Sequence, residues 1–409
     1  MSRINHLSTA LVIVGALFLT GCSSSGGDSN GNSNPNSNSD VTFNATGMIN
    51  NLGNNIILAG YQELNASAAA LNNAVNALET DGATEQEMDA AQTAWKAARV
   101  WWESGEGHIF GPIDALGTDP ALDSWPLSTT DLQNILNTVS PITADTVRLL
   151  GNDVQGFHAI EYLLFGNGIA DNDKTAAELT GDEIDYLLAL GEVFQEHTQE
   201  LVDGWTAQYD PDDTSTGPYI DEFTAPAANK VYVSQAAVVE EIINGMIGIV
   251  DEVGNGKISG PFGASAAEAD TSLVESQYSW NSLTDFHNNI QSVRMLYTGL
   301  LDTDGTSTGS NGIYDFVNAH SATLAARVLD EINEAMDRIA LVDGDSDTTT
   351  TDITTNGQVG SGQVAFRNAI SDEAEGGRDR IQAAINALST LQTTLQNDVL
   401  PLIADTTFN

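Results

Sequence analysis

The sequence predicts an all-α protein organised as two groups of roughly four helices each. Three observations predict it. Apolar residues recur at spacings of three and four through most of the chain beyond residue 40, the mark of one buried stripe per helix. Clean apolar–polar alternation is missing and no Asn-Gly pair joins two apolar runs, so strands are not expected. Residues 210–228 interrupt the helical pattern with three prolines and a cluster of Asp, Ser and Thr, which divides the run in two.

The elements follow in order. Val41–Glu79 carries Leu64, Leu71, Val75 and Leu78 at helical spacing and reads as one long helix, interrupted near Gly53 or Gly60. Asp81-Gly82 marks a turn. Thr84 with Glu87 forms a capping box that opens a helix through Glu103. Gly105–Pro126 is dense in Gly, Pro and Asp and reads as an irregular loop, packed down by Phe110, Ile113, Leu116 and Trp125. Thr130–Val139 is a short helix ending before Pro141, and Ala144–Phe165 and Asp182–Tyr209 are long ones. Lys230–Val253 follows the break, then a Gly-rich loop through Gly263. Ser276–Leu301, Ile313–Leu341 and Val364–Leu400 complete the second group, the last with a kink at Gly376-Gly377. Asp343–Gly362, nearly all Asp, Thr, Gly and Ser, is expected to be disordered. The division is therefore 41–209 and 229–405, joined by 210–228.

Residues 1–21 are not part of this plan. Arg3 precedes the short apolar run Ala10–Leu19, too short to span a bilayer. Leu19-Thr20-Gly21-Cys22 resembles the lipobox of bacterial lipoproteins, which implies cleavage before Cys22 and lipidation of that cysteine. Ser23 rather than Asp after it implies sorting to the outer membrane in such proteins. Residues 22–40 are almost wholly Ser, Gly, Asn and Asp, the composition of a flexible tether. The expectation is a cell-envelope protein held to the membrane by lipid at Cys22, facing the periplasm or the surface. Cys22 is the only cysteine, which excludes an internal disulfide. The net charge of −44 makes nucleic acid an unsuitable partner, and a solvated acidic exterior explains it without any metal.

One stretch carries chemistry. In Gly156–Gly166 (GFHAIEYLLFG), His158 and Glu161 fall on the apolar stripe set by Val147, Leu150, Val154, Phe157, Leu164 and Phe165. Residues three apart share a helix face, so an imidazole and a carboxylate point together into the core, where each needs a partner. Gly156 leaves room for another backbone or a ligand. A core histidine paired with Glu161 would satisfy the pattern equally well, and His-x-x-Glu is cheap: His197 and Glu200 repeat it in a polar context. Known metal motifs fail. There is no His-Glu-x-x-His, Tyr162 stands where His-x-x-Glu-His needs histidine, and no histidine has Glu three positions before it. Asp343-x-Asp345-x-Asp347 opens like a calcium loop but lacks its Gly and Glu.

Taken with two further blocks, the stretch resembles the signature of the imelysin family, whose hallmark is Gly-x-His-x-x-Glu. Trp95-Lys-Ala-Ala-Arg99, with Glu106 and Phe110-Gly111-Pro112, is similar to a second block. Glu275-Ser276-x-x-Ser279 followed by Asp285 and Asn289 is similar to a third. The resemblance implies two up-and-down four-helix bundles packed together, with a site in the cleft between them. It implies that His158, Glu161, Arg99, Glu106, Glu275, Ser276, Ser279 and Asp285 gather there, with His158 and Glu161 as metal ligands. His108 stands where the family usually has an aromatic such as Phe, and could add a ligand.

The family includes metallopeptidases and proteins tied to bacterial iron uptake. Two functions therefore stand: binding of a metal ion or metal complex, linked to iron uptake and its components, or metal-dependent peptide cleavage. Carboxylates with one imidazole suit iron, with zinc the other metal admitted. A lipoprotein with a purely structural His–Glu pair is the third reading.

Overall fold

Several helices begin at a side-chain cap that the sequence supplies. Thr84 Oγ1 accepts from the Glu87 amide at 3.3 Å while Glu87 Oε2 accepts from the Thr84 amide at 2.8 Å, closing the expected box at the start of the Glu85–Glu103 helix. Thr180 and Glu183 repeat the device for Gly181–Thr206. The computed structural model describes residues 41–78, 83–301 and 311–409. The expected leader, the expected tether with Cys22 and the expected turn at Asp81-Gly82 lie outside the described residues.

The described chain is predominantly helical, with a single two-stranded parallel pair among the described residues. Ala59–Ala77 packs on Glu85–Glu103 and on Gly181–Thr206, and Gly156–Phe165 packs on the latter two. In the second half Gln235–Asp251, Ser282–Thr298, Ala322–Ala340 and Gly377–Thr394 pack against one another in the same manner. Buried apolar residues of both sets form one continuous core. Trp95 is wholly buried in it, and its indole nitrogen donates to Phe157 O at 3.0 Å. Burying such a side chain contributes roughly 2–3 kcal/mol, and its polar tip must find an acceptor as it does here.

The two sets meet along Glu85–Glu103, which touches Ser282–Thr298, and along Gln235–Asp251, which touches the 3₁₀ turn Glu106–His108. Gly245 makes the second contact sterically feasible, since a Cβ there would lie 2.4 Å from Gly107 O.

Several elements differ from expectation. Val41–Glu79 is not one helix. Val41–Phe43 pairs in parallel with Thr406–Phe408, Val41 opposite Thr406, and the helical path then runs through Thr46–Asn51, a π-helical Leu52–Leu58 and Ala59–Ala77. The π segment holds Gly53, where Phe223 leaves no space for a side chain. Ala144–Phe165 is broken into Ala144–Val147, the 3₁₀ turn Asn152–Val154 and Gly156–Phe165. The Gly105–Pro126 loop is packed down as expected, but it contains the helices Pro112–Leu116 and Thr118–Asp123.

The Gly-rich stretch before Gly263 is helical: π over Glu252–Ile258, then Ser259–Phe262. Ser276–Leu301 is helical only over Ser282–Thr298, because Ser276 and Trp280 adopt positive φ (49° and 61°) in a tight turn. Ile313–Leu341 splits at Ser321, which caps the Ala322–Ala340 helix. Val364–Leu400 breaks before Gly377 as expected, with Phe366–Ala369 ahead of it. Asp343–Gly362 is ordered, because Gln363 bonds Asp343 Oδ2 at 2.8 Å and Asp352 O at 3.0 Å, and Thr351 is buried. Composition missed this since those partners lie outside the polar stretch or are backbone.

Candidate functional site

Gly156 sets the geometry. Its φ is +71°, and a Cβ would lie 2.3 Å from Leu122 O, so only glycine lets the Gly156–Phe165 helix start against the end of Thr118–Asp123. That approach brings His158 Nε2 to 3.1 Å from Asp123 Oδ1 and 3.8 Å from Glu275 Oε1. The nitrogen is fully buried and aligned for a hydrogen bond with neither. Together, Asp123, His158 and Glu275 offer ligand atoms within 4.8 Å of one another.

The other ring nitrogen is fixed. His158 Nδ1 lies 2.8 Å from Glu161 Oε2, and Glu161 Oε1 accepts from the Tyr278 amide at 3.0 Å and from the Ser279 amide and hydroxyl at 2.8 and 2.7 Å. Thus Glu161 ties the His158 helix to the 276–280 turn of the second half and orients the imidazole, the role a carboxylate plays behind many metal-bound histidines. Trp125 packs on the ring, centroids 4.6 Å apart.

Around this pair lies an ion network. Arg99, wholly buried, is paired with Glu103 and Asp123, and reaches Glu275 Oε1 at 2.7 Å and Asp285 Oδ2 at 3.1 Å. Asp285 also accepts from Ser276 Oγ at 2.5 Å and Asn281 Nδ2 at 2.7 Å. Lys257 Nζ is 2.8 Å from Glu106 Oε2, 3.3 Å from Glu275 Oε2 and 3.6 Å from Glu103 Oε2. Asn289 Nδ2 donates to Glu103 and, at 2.7 Å, to Glu106. The set comprises six carboxylates (Glu103, Glu106, Asp123, Glu161, Glu275 and Asp285) against two permanent cations, Arg99 and Lys257. Excess negative charge away from water is costly unless protons or cations compensate it.

The titration behaviour reflects that excess. Burial pushes Glu103 up to about 8, and raises Glu106 and Asp285 as well. Burial also acts upward on Asp123, but Arg99 and His158 outweigh it and hold this carboxyl low. In Glu275 burial is outweighed by Lys257, His158 and Arg99, which hold it at about 2. Burial acts downward on His158, yet Asp123, Glu161 and Glu275 hold it well above its ordinary value. The network opens on a cleft of about 680 Å³ lined among others by Glu106, Asp123, Trp125, Lys257 and Glu275.

All eight residues named from the sequence (Arg99, Glu106, His158, Glu161, Glu275, Ser276, Ser279 and Asp285) meet in this network. Three were missed. Glu103 was readable, one turn beyond Arg99 on a common face. Asp123, one of several aspartates in an aperiodic loop, and Lys257, in a Gly-rich stretch, gave no periodic signal. His108 is turned to Tyr61, with Nδ1 3.4 Å from its hydroxyl. His197 pairs with Glu200 at 3.0 Å, the same local bond on a solvent-accessible surface.

Fold and site thus define a helical protein with a buried acidic His centre shared by its two halves. The profile of the family described as Imelysin matches residues 57–395, and the chain belongs to the imelysin family. It is 29% identical over 255 residues to iron-regulated protein A of Synechococcus elongatus, covering 62% of this chain. The chain spans about 64% of the length of that relative. Its fold is similar to that of a candidate iron-regulated protein A precursor from Parabacteroides distasonis, with a TM-score of 0.71, 24% identity, and 89% and 95% of the two chains covered. An imelysin-like protein from Psychrobacter arcticum also matches, with a TM-score of 0.62, 12% identity and 89% and 98% coverage.

Proposed function

We propose that the protein binds a metal ion or metal complex at Asp123, His158 and Glu275, in a role linked to bacterial iron uptake. The carrying observation is His158 Nε2, buried without an aligned partner and facing two carboxylates inside a network already rich in negative charge. A metal ion there, taking the place of the proton on His158 Nε2, would coordinate all three side chains. One imidazole with carboxylate oxygens suits iron, and zinc is the second candidate. The names of the relatives, iron-regulated protein A, support iron. Glu161 serves in this reading as the residue that orients His158, and Arg99 as the fixed counter-charge that keeps the carboxylates in place.

Binding is favoured over peptide cleavage because Glu275, the carboxylate closest to His158 Nε2 after Asp123, is itself one of the three proposed ligands, so this trio holds no carboxylate left over to activate water. Calorimetric titration of metal-free protein with Fe²⁺ under anaerobic conditions, and with Zn²⁺, tests the reading. Stoichiometric uptake lost in a folded His158→Ala variant is expected. Equal uptake by variant and wild type would overturn it, and chelator-sensitive cleavage of an unfolded protein substrate would favour the peptidase reading.

A further inference from the structure

We infer that Lys257 is a resident competing cation, whose ammonium occupies the carboxylate pocket until a multivalent cation displaces it, and that this exchange sets the valence the site accepts. The inference rests on the metal-binding reading above. The two permanent cations of the network are placed differently. Arg99 has no exposed surface and is held by four carboxylates, so it is part of the frame. Lys257 lines the open cleft. Its helix turn, Glu252–Ile258, is π-helical and contains Gly254 and Gly256, a local irregularity of the kind found where helices rearrange at functional sites.

The lysine also shares a ligand with the candidate metal group. Its Nζ is 3.3 and 3.4 Å from the two oxygens of Glu275, whose Oε1 is the atom 3.8 Å from His158 Nε2. A cation bound by Asp123, His158 and Glu275 would therefore stand within a few ångströms of the ammonium, where like charges repel strongly in a poorly solvated site. A compact ammonium on a flexible four-carbon stem can swing into the adjacent cleft, which a pinned guanidinium cannot do. Exchanging the ammonium for a monovalent ion gains no charge and leaves the lysine to be resolvated. A divalent or trivalent ion brings at least one unit more than a monovalent ion at the same exchange, so the lysine filters by valence.

Calorimetric titration of the full chain with Mn²⁺, a redox-stable probe, tests this in wild type, Lys257→Gln and Lys257→Arg over a KCl series. Lys257→Gln is expected to bind Mn²⁺ at least tenfold more tightly and to become sensitive to K⁺ competition, while Lys257→Arg keeps the wild-type insensitivity to K⁺. Unchanged or weaker Mn²⁺ binding by Lys257→Gln overturns the inference. Should Lys257→Gln fail to fold, labelling of wild-type Lys257 by an amine-reactive reagent replaces it. Mn²⁺ should raise the labelling severalfold, and unchanged labelling at saturating Mn²⁺ overturns the proposal. Uptake by wild type with either negative result leaves the metal-binding reading standing. No uptake of Mn²⁺ or anaerobic Fe²⁺ by any variant removes both.

Discussion

At the scale of single residues, His158 and His108 show how burial alone does not set a histidine's charge. Both rings are buried. His158 faces carboxylates and is held up, whereas His108 has Tyr61 for company and burial pushes it down to about 4. The sign for His108 follows from linkage. The unfolded chain, near 6.5, binds a proton that the folded chain refuses, so the stability from a neutral His108 is present above pH 6.5 and lost as pH falls toward 4. Thermal melts at pH 7 and pH 5 should show wild type losing about 2 kcal/mol more than His108→Phe, on the ordinary linkage relation. Equal losses in the two proteins would exclude this role. The aromatic replacement is suited to the edge-on packing against Tyr61, whose ring centroid is 5.2 Å away.

At the scale of elements, the decisive feature is the start of the Gly156–Phe165 helix. Gly156 has no alternative residue, because its positive φ and its contact with Leu122 O both exclude a Cβ. Gly156→Ala should cost more than about 2 kcal/mol from strain and backbone overlap. It should also weaken metal uptake beyond what instability explains, since any shift of this helix separates His158 from Asp123. Denaturant melts and metal titration of the folded fraction would check both, and a variant of wild-type stability would refute the steric account. The same element shows what the pattern in the sequence conveyed. Val147, Val154, Phe157, Leu164 and Phe165 are buried as their spacing required, and so are His158 and Glu161, while Leu150 of the same stripe is only half-buried. The helix break between Val147 and Gly156 escaped because apolar spacing continues across it while the backbone does not.

At the scale of the whole molecule, buried residues from both sets of helices form a continuous core, and the acidic network lies where they meet. No helix among the described residues is long and apolar enough to cross a membrane; the lipid anchor expected at Cys22 lies outside the described residues. Replacement Cys22→Ala should shift the protein from the membrane fraction to the soluble fraction of the cell. Retention of the variant on membranes in high salt would sink the lipid-anchor expectation.

Periodicity in the sequence determined the helical class, the buried faces, and the unusual placement of His158 and Glu161. These are local properties, fixed by side chains three and four apart on one helix. The motif blocks brought Arg99, Glu106, Glu275, Ser276, Ser279 and Asp285 to the same site. Only the tertiary structure decided that Asp123 and Lys257 join them, and that Glu161 spends both oxygens on the 276–280 turn and the imidazole. It alone also left His158 Nε2 facing Asp123 and Glu275. The reason is physical: an ion network is specified by distances between segments far apart in the chain, and aperiodic loops carry no spacing from which those distances can be read.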